Sequence, residues 1–162
     1  MIIIHDTAIA TLAGSLAAFK PDLLPRERAY LRAFGDVNVG VHFLVDRDGT
    51  IYSLLPLDVI GRHAIGLNHV SIGIENVGKN EAALTHKQLE SDVALVDDLV
   101  RRFPSLHYLI GHHEYVDRSL PHYRLYKELV SGYRPTKKTD PGPDFMKRLR
   151  AALEKKGLVL EN

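Results

Sequence analysis

The chain has 162 residues and a formal net charge of +1. That is long enough for one domain with a real core. The charge is too balanced to give the basic footprint that nucleic acid or an acidic membrane surface would require. Cysteine is absent, so disulfides and thiolate metal sites are excluded, and any metal must be held by His, Asp or Glu.

Ile2-Ile3-Ile4 is a short β-branched run that reads as a buried strand. Thr7 to Phe19, rich in Ala and Leu, predicts a helix stopped near Pro21, and Pro25 to Phe34 predicts a second helical segment ending at Gly35. Val39 to Val45 and Thr50 to Leu55 are strand-like, and Asp46-Arg47-Asp48-Gly49 between them is hairpin-turn chemistry. Val70 to Val77 is a further strand closed by Gly78. Thr85 and Gln88 form a capping-box pattern opening a helix to Phe103, with Leu89, Val93, Val96, Leu99, Val100 and Phe103 at helical spacing. Leu106 to Ile110 is the last strand, and Phe145 to Lys156 a C-terminal helix with Met146, Leu149 and Leu153 on one side. Strands and helices interleave, which predicts one α/β domain over residues 1–162, with a central mixed β-sheet flanked by helices. No apolar stretch is long enough to span a membrane.

Three places carry chemistry. His5 closes the first strand, Gly111-His112-His113-Glu114 follows the last, and Asp140 lies in Lys138-Thr139-Asp140-Pro141-Gly142-Pro143. Two imidazoles and one carboxylate make a first shell for a zinc ion that keeps a position for water. Such a site is built for hydrolysis. The plain alternatives are a hydrogen-bonded histidine at a strand end and an Asp-Pro turn former. His112 and His113 compete for one role, because neighbours on a strand point to opposite faces. Glu75 follows Ile72-Gly73-Ile74, where a carboxylate is costly unless it is paired or useful. Partial burial would raise its pKa toward that of a working general base.

Five segments, in order, resemble the zinc-dependent N-acetylmuramoyl-L-alanine amidases, the family that includes phage amidase lysozymes and animal peptidoglycan-recognition proteins. They are Ile2-Ile3-Ile4-His5-Asp6-Thr7-Ala8, the stretch from His42 to Tyr52, the stretch from Ser71 to Gly78, Gly111-His112, and Lys138 to Pro143. The resemblance implies an amidase/peptidoglycan-recognition-like fold. It also implies hydrolysis of the amide between N-acetylmuramic acid and L-alanine in peptidoglycan or muropeptides.

The resemblance assigns Zn2+ to His5, His112 and Asp140. It makes Glu75 the catalytic acid/base and Lys138, rather than Lys137, the oxyanion-stabilising cation. His63 and Asn68 are expected at the substrate groove. So is the Glu114 to Lys137 insertion, with its tyrosines and arginines, Tyr133 and Arg134 among them. Two departures stand out: Val41 occupies a place where some relatives carry a tyrosine, and Arg62 one where relatives often carry an aromatic residue. His42, beside Val41, is expected to be structural. The expected partner is peptidoglycan or a muropeptide, without nucleic acid or membrane insertion, and the expected state is a monomer. No export signal precedes the first strand, which suits either a cytoplasmic (including phage-encoded) enzyme or a trimmed mature secreted domain. The competing readings are a peptidoglycan-binding module without catalysis and a zinc amidohydrolase of small peptides.

Overall fold

A computed structural model describes residues 1–162. In chain order the elements are β1 (Ile2–Asp6), α1 (Leu12–Phe19), α2 (Ala29–Arg32), β2 (Phe43–Val45), β3 (Ile51–Ser53), β4 (Ile72–Asn76), α3 (His86–Arg102), β5 (Leu109–Gly111) and α4 (Pro143–Glu154). The strands form one mixed sheet in the order β3-β2-β4-β1-β5. β1 runs parallel to β4 and β5, β2 parallel to β4, and only β3 is antiparallel. This is the α/β architecture expected from the interleaved pattern. No helix is long and apolar enough to cross a membrane.

Period-two alternation sorts the strands into two unlike faces. Ile2, Ile4 and Ile74 pack on one face with Leu89, Val93, Val96 and Leu99 of α3 and with Phe145, Met146, Leu149 and Leu153 of α4. Met1, Ile3 and Ile110 point the other way, into a smaller cluster with Ala64, Leu67, Tyr108 and Tyr115. His5 has the parity of Ile3, and Glu75 that of Gly73. Both therefore emerge on the second face, at the C-terminal edge of the parallel strands, where open α/β sheets bind ligands.

The predicted capping box of α3 is present. Thr85 Oγ1 accepts from the Gln88 amide, and Gln88 Oε1 accepts from the Thr85 amide. Several elements are shorter than predicted. α1 begins at Leu12 rather than Thr7, because Asp6 Oδ1 accepts from the Ala8 amide and Thr7 Oγ1 from those of Ile9 and Gly78. Such side-chain bonds offer the backbone an alternative to a helix. Thr11 then caps the helix, accepting from the Gly14 amide. The helix expected over Pro25 to Phe34 is a single turn, and of Val39 to Val45 only Phe43–Val45 pairs as strand. The insertion's ordered turn is a 3-10 helix over Pro121–Leu125, starting at a proline.

Candidate active site

β1 and β4 are in register with His5 beside Glu75, and Ile4 pairs with Gly111 of β5. His112 therefore follows at the same level of the sheet, on the third of three adjacent strands. It opens a 3-10 turn over His112–Glu114 and does not continue the strand. That turn is fixed from behind: Glu114 accepts from the Gly111 amide and from both terminal nitrogens of Arg150 in α4. His113 turns aside. Its amide and its ring Nδ1 both meet the carbonyl of Asp140, so His113 holds the Asp140 main chain while His112 faces the carboxylate.

Asp140 Oδ2 lies 3.0 Å from His112 Nδ1 and 3.3 Å from His5 Nδ1, and the three donor atoms all lie within 4.8 Å of one another. A tetrahedral zinc with bonds of about 2.0–2.1 Å sets neighbouring ligand atoms about 3.3 Å apart, so the residues present fit that ion. The donor chemistry agrees. Burial lowers the His112 pKa to about 4, keeping it a neutral imidazole. Burial alone would raise Asp140, but the His112 and His5 imidazoles beside it hold its carboxyl well below the usual range.

The Asp140 loop runs straight into α4, and Glu81 pins that junction. Glu81 Oε1 accepts from the Phe145 amide in the first turn of that helix. Gly142 makes the approach possible: its φ is +105°, and a Cβ there would collide with the Glu81 carboxylate. The sequence carried a signal for this, a glycine two residues after the expected ligand, but not the identity of its partner.

Glu75 is half-buried and lines a cavity of about 600 Å³, and its Oε2 has no hydrogen-bond partner. Burial, then the charges of Asp140 and Asp6, push its pKa well above the carboxylate range, with Lys138 opposing. Lys138 lines the same cavity and is half-buried, whereas its neighbour Lys137 is exposed and outside it.

The remaining expected residues are placed unevenly. His63 lies against His5 with both ring nitrogens engaged inside the protein. Burial, followed by the neighbouring histidines His5, His112 and His42, keeps its pKa well below the ordinary value. Asn68 lines the cavity, but its Oδ1 is taken by the amides of His63 and Ala64. Within the Glu114 to Lys137 insertion only Tyr133 reaches the cavity. Tyr115 is buried against His112 and donates to the Thr136 carbonyl, while Tyr123 and Tyr126 stack on each other. Arg134 is exposed and outside the cavity, its main chain tied to the Tyr30 hydroxyl through both N–H and carbonyl. His42 is structural, accepting from the Gly73 amide and donating to the Val59 carbonyl.

Arg62 has a role that its position in the sequence did not disclose. Its guanidinium donates to the carbonyls of Leu31, Gly35 and Val37 and lies 5.5 Å from the centre of the Tyr133 ring. Tyr133 in turn stacks on Phe34. Three distant segments thus form one wall of the cavity around a single planar cation.

The family model described as N-acetylmuramoyl-L-alanine amidase matches residues 1–143, which take in the whole site. The endolysin of Escherichia phage T7 is 33% identical over 104 residues, covering 60% of this chain and 68% of the endolysin. The 1,6-anhydro-N-acetylmuramyl-L-alanine amidase AmpD of Citrobacter freundii is 29% identical over 139 residues, covering 80% of this chain and 64% of AmpD. Among solved structures, the endolysin N-acetylmuramoyl-L-alanine amidase LysCS from Clostridium intestinale matches with a TM-score of 0.61 and 25% identity, over 95% of this chain and 82% of that one.

Proposed function

Because this chain belongs to the N-acetylmuramoyl-L-alanine amidase family, we propose that it is a zinc-dependent amidase that cleaves the bond between N-acetylmuramic acid and L-alanine in peptidoglycan or muropeptides. The observation that carries the reading is the convergence of His5 Nδ1, His112 Nδ1 and Asp140 Oδ2 beside a carboxylate, Glu75, that has a raised pKa and an unpartnered oxygen.

His5, His112 and Asp140 would hold the ion, which when bound supplies a Lewis acid for the scissile carbonyl and a lowered pKa for the attacking water. Glu75 takes the water's proton as the new C–O bond forms. It returns that proton to the amide nitrogen as the C–N bond breaks, releasing L-alanine's amine and a muramic carboxylate. Its raised pKa suits both halves of that duty. Lys138 meets the negative charge that develops on the carbonyl oxygen. The cavity walls, Tyr133 and Arg62 among them, orient the glycan-peptide and exclude water.

Mass spectrometry of products from intact sacculi, soluble muropeptides and plain peptides tests this directly. Free stem peptides beginning at L-alanine are expected from the first two substrates, with loss on chelation and recovery with added zinc. Retention on sacculi without release would establish the binding-module reading. Cleavage confined to plain peptides would establish the small-peptide hydrolase. Activity unaffected by exhaustive chelation would overturn zinc dependence.

A further inference from the structure

We infer that His63 and Ser71 form a proton-ordered relay that sets the tautomer of His5, so that the Nδ1 lone pair of His5 faces His112 and Asp140; His63 is then a positioning residue rather than a substrate contact. The inference rests on the reading of His5 as a metal ligand.

The order of protons follows from the end of the chain inward. The carbonyl of Leu67 can only accept, and Ser71 Oγ lies 2.7 Å from it. At that distance the serine proton belongs to Leu67. Ser71 Oγ is then left as an acceptor toward His63 Nε2 at 3.3 Å. A neutral imidazole carries one N–H and one lone pair, so His63 with a proton on Nε2 offers a lone pair at Nδ1. His5 Nε2 lies 3.0 Å from that atom and must be the donor. His5 therefore carries its proton on Nε2, and its Nδ1 lone pair points at Asp140 Oδ2, 3.3 Å away. Two lone pairs face each other there, an arrangement that calls for a cation between them.

The surroundings are shaped for this relay. The His63 ring lies flat over the backbone of β4 at Gly73, where a Cβ would come within 2.9 Å of ring atoms. Its main chain is held by Asn68, which accepts the amides of His63 and Ala64. With both nitrogens engaged, His63 has no polar atom left for a substrate. The opposite tautomer would put a proton on His5 Nδ1 and remove it as a ligand. Partners that orient a metal-ligating histidine typically change metal affinity about 10- to 100-fold when removed.

The test has two readouts that need no turnover. Long-range 15N NMR of the metal-free protein at mildly alkaline pH should show His5 as the Nε2–H tautomer. Competition with a chromophoric chelator should show zinc held about 10- to 100-fold less tightly by His63→Ala. His63→Asn should recover part of that loss, since its amide oxygen can accept where Nδ1 did. Ser71→Ala, a small change that should leave the fold intact, should weaken zinc by less than His63→Ala and let the His63 tautomers mix. An Nδ1–H tautomer at His5 in the wild type, or wild-type zinc affinity in both folded His63→Ala and Ser71→Ala, would overturn the relay. If the wild type bound no zinc at all, the metal reading would fall, while the spectrum of the metal-free protein would still decide the relay.

Discussion

Glu75 and Asp92 are carboxylates set against opposite faces of β4, and burial pushes both above the ordinary carboxylate range. Their surroundings differ in kind. Asp92, on α3, is sealed in the larger core, where its Oδ2 accepts from Asn76 and its Oδ1 has no partner. Glu75 stands one residue before Asn76 on the strand, so it faces the other way, into the cavity with Lys138 and the His5–His112–Asp140 cluster. A raised carboxylate pKa alone does not mark a catalytic group. Access to a substrate and to partners of complementary charge separates the two.

Exchanging each acid for its amide is the sharpest way to break that comparison. Glu75→Gln should lower turnover about a hundred- to ten-thousandfold while zinc content and fold are retained, because the amide cannot accept the water's proton. Stem-peptide release followed by mass spectrometry, with metal analysis on the same sample, checks this. Near-normal turnover by a folded variant would move the acid/base role elsewhere. The corresponding change at Asp92 should leave activity within about twofold, since nothing in the cavity touches it.

Lys138 and Lys137 give the next contrast. Lys138→Ala should lower kcat more than it changes KM, by a factor of about 100 if the ammonium acts on the developing oxyanion. Lys137→Ala should be silent. Exchanged behaviour would mean that the exposed lysine swings into the site and that the resting geometry misleads.

The framework was legible because it depends on local chemistry: β-branched runs for the strands, a capping box for α3, and an acid in an apolar strand at Glu75. The solitary runs were over-read at their ends, where Asp6 and Thr7 divert the backbone into a turn before α1. The five segments of the resemblance singled out the three groups that converge, His5, His112 and Asp140, but not what holds them. Glu81 reaches Phe145, Arg62 reaches Leu31, and His63 reaches His5 across long stretches of chain, and nothing in one sequence pairs such residues. In the insertion, composition does not say which tyrosines face the cavity: Tyr115 is buried in the fold, Tyr123 and Tyr126 form their own stack, and Tyr133 lines the cavity.

Asp92 should also leave a mark on stability. Its pKa is raised from 3.8 to about 7 in the folded protein. Between those values the native state binds a proton that the unfolded chain does not, so stability falls as pH rises from about 4 to about 7. At ~1.4 kcal/mol per unit the upper bound on this contribution is roughly 4 kcal/mol. Asp92→Asn should flatten that slope in urea melts taken across the window. A slope unchanged in the variant would show that Asp92 ionises as readily folded as unfolded.

The smallest effect is expected at the cavity wall, where Arg62 and Arg134 contrast two arginines close to Tyr133. Arg62 joins three carbonyls and the Tyr133 ring, and it lines the cavity; Arg134 is exposed and does not. Arg62→Lys keeps the charge but loses the planar fork that can satisfy several carbonyls at once. The segment around α2 should then loosen against Tyr133, and substrate should bind a wall that must first be ordered. That calls for a rise in KM of roughly three- to tenfold, equivalent to about 1 kcal/mol, with kcat little changed. Arg134→Ala should leave both constants alone. Initial rates on a soluble muropeptide decide the matter. A fall in kcat at constant KM for Arg62→Lys would place Arg62 in the chemistry. A rise in KM for Arg134→Ala would return Arg134 to the substrate groove, where the sequence had put it.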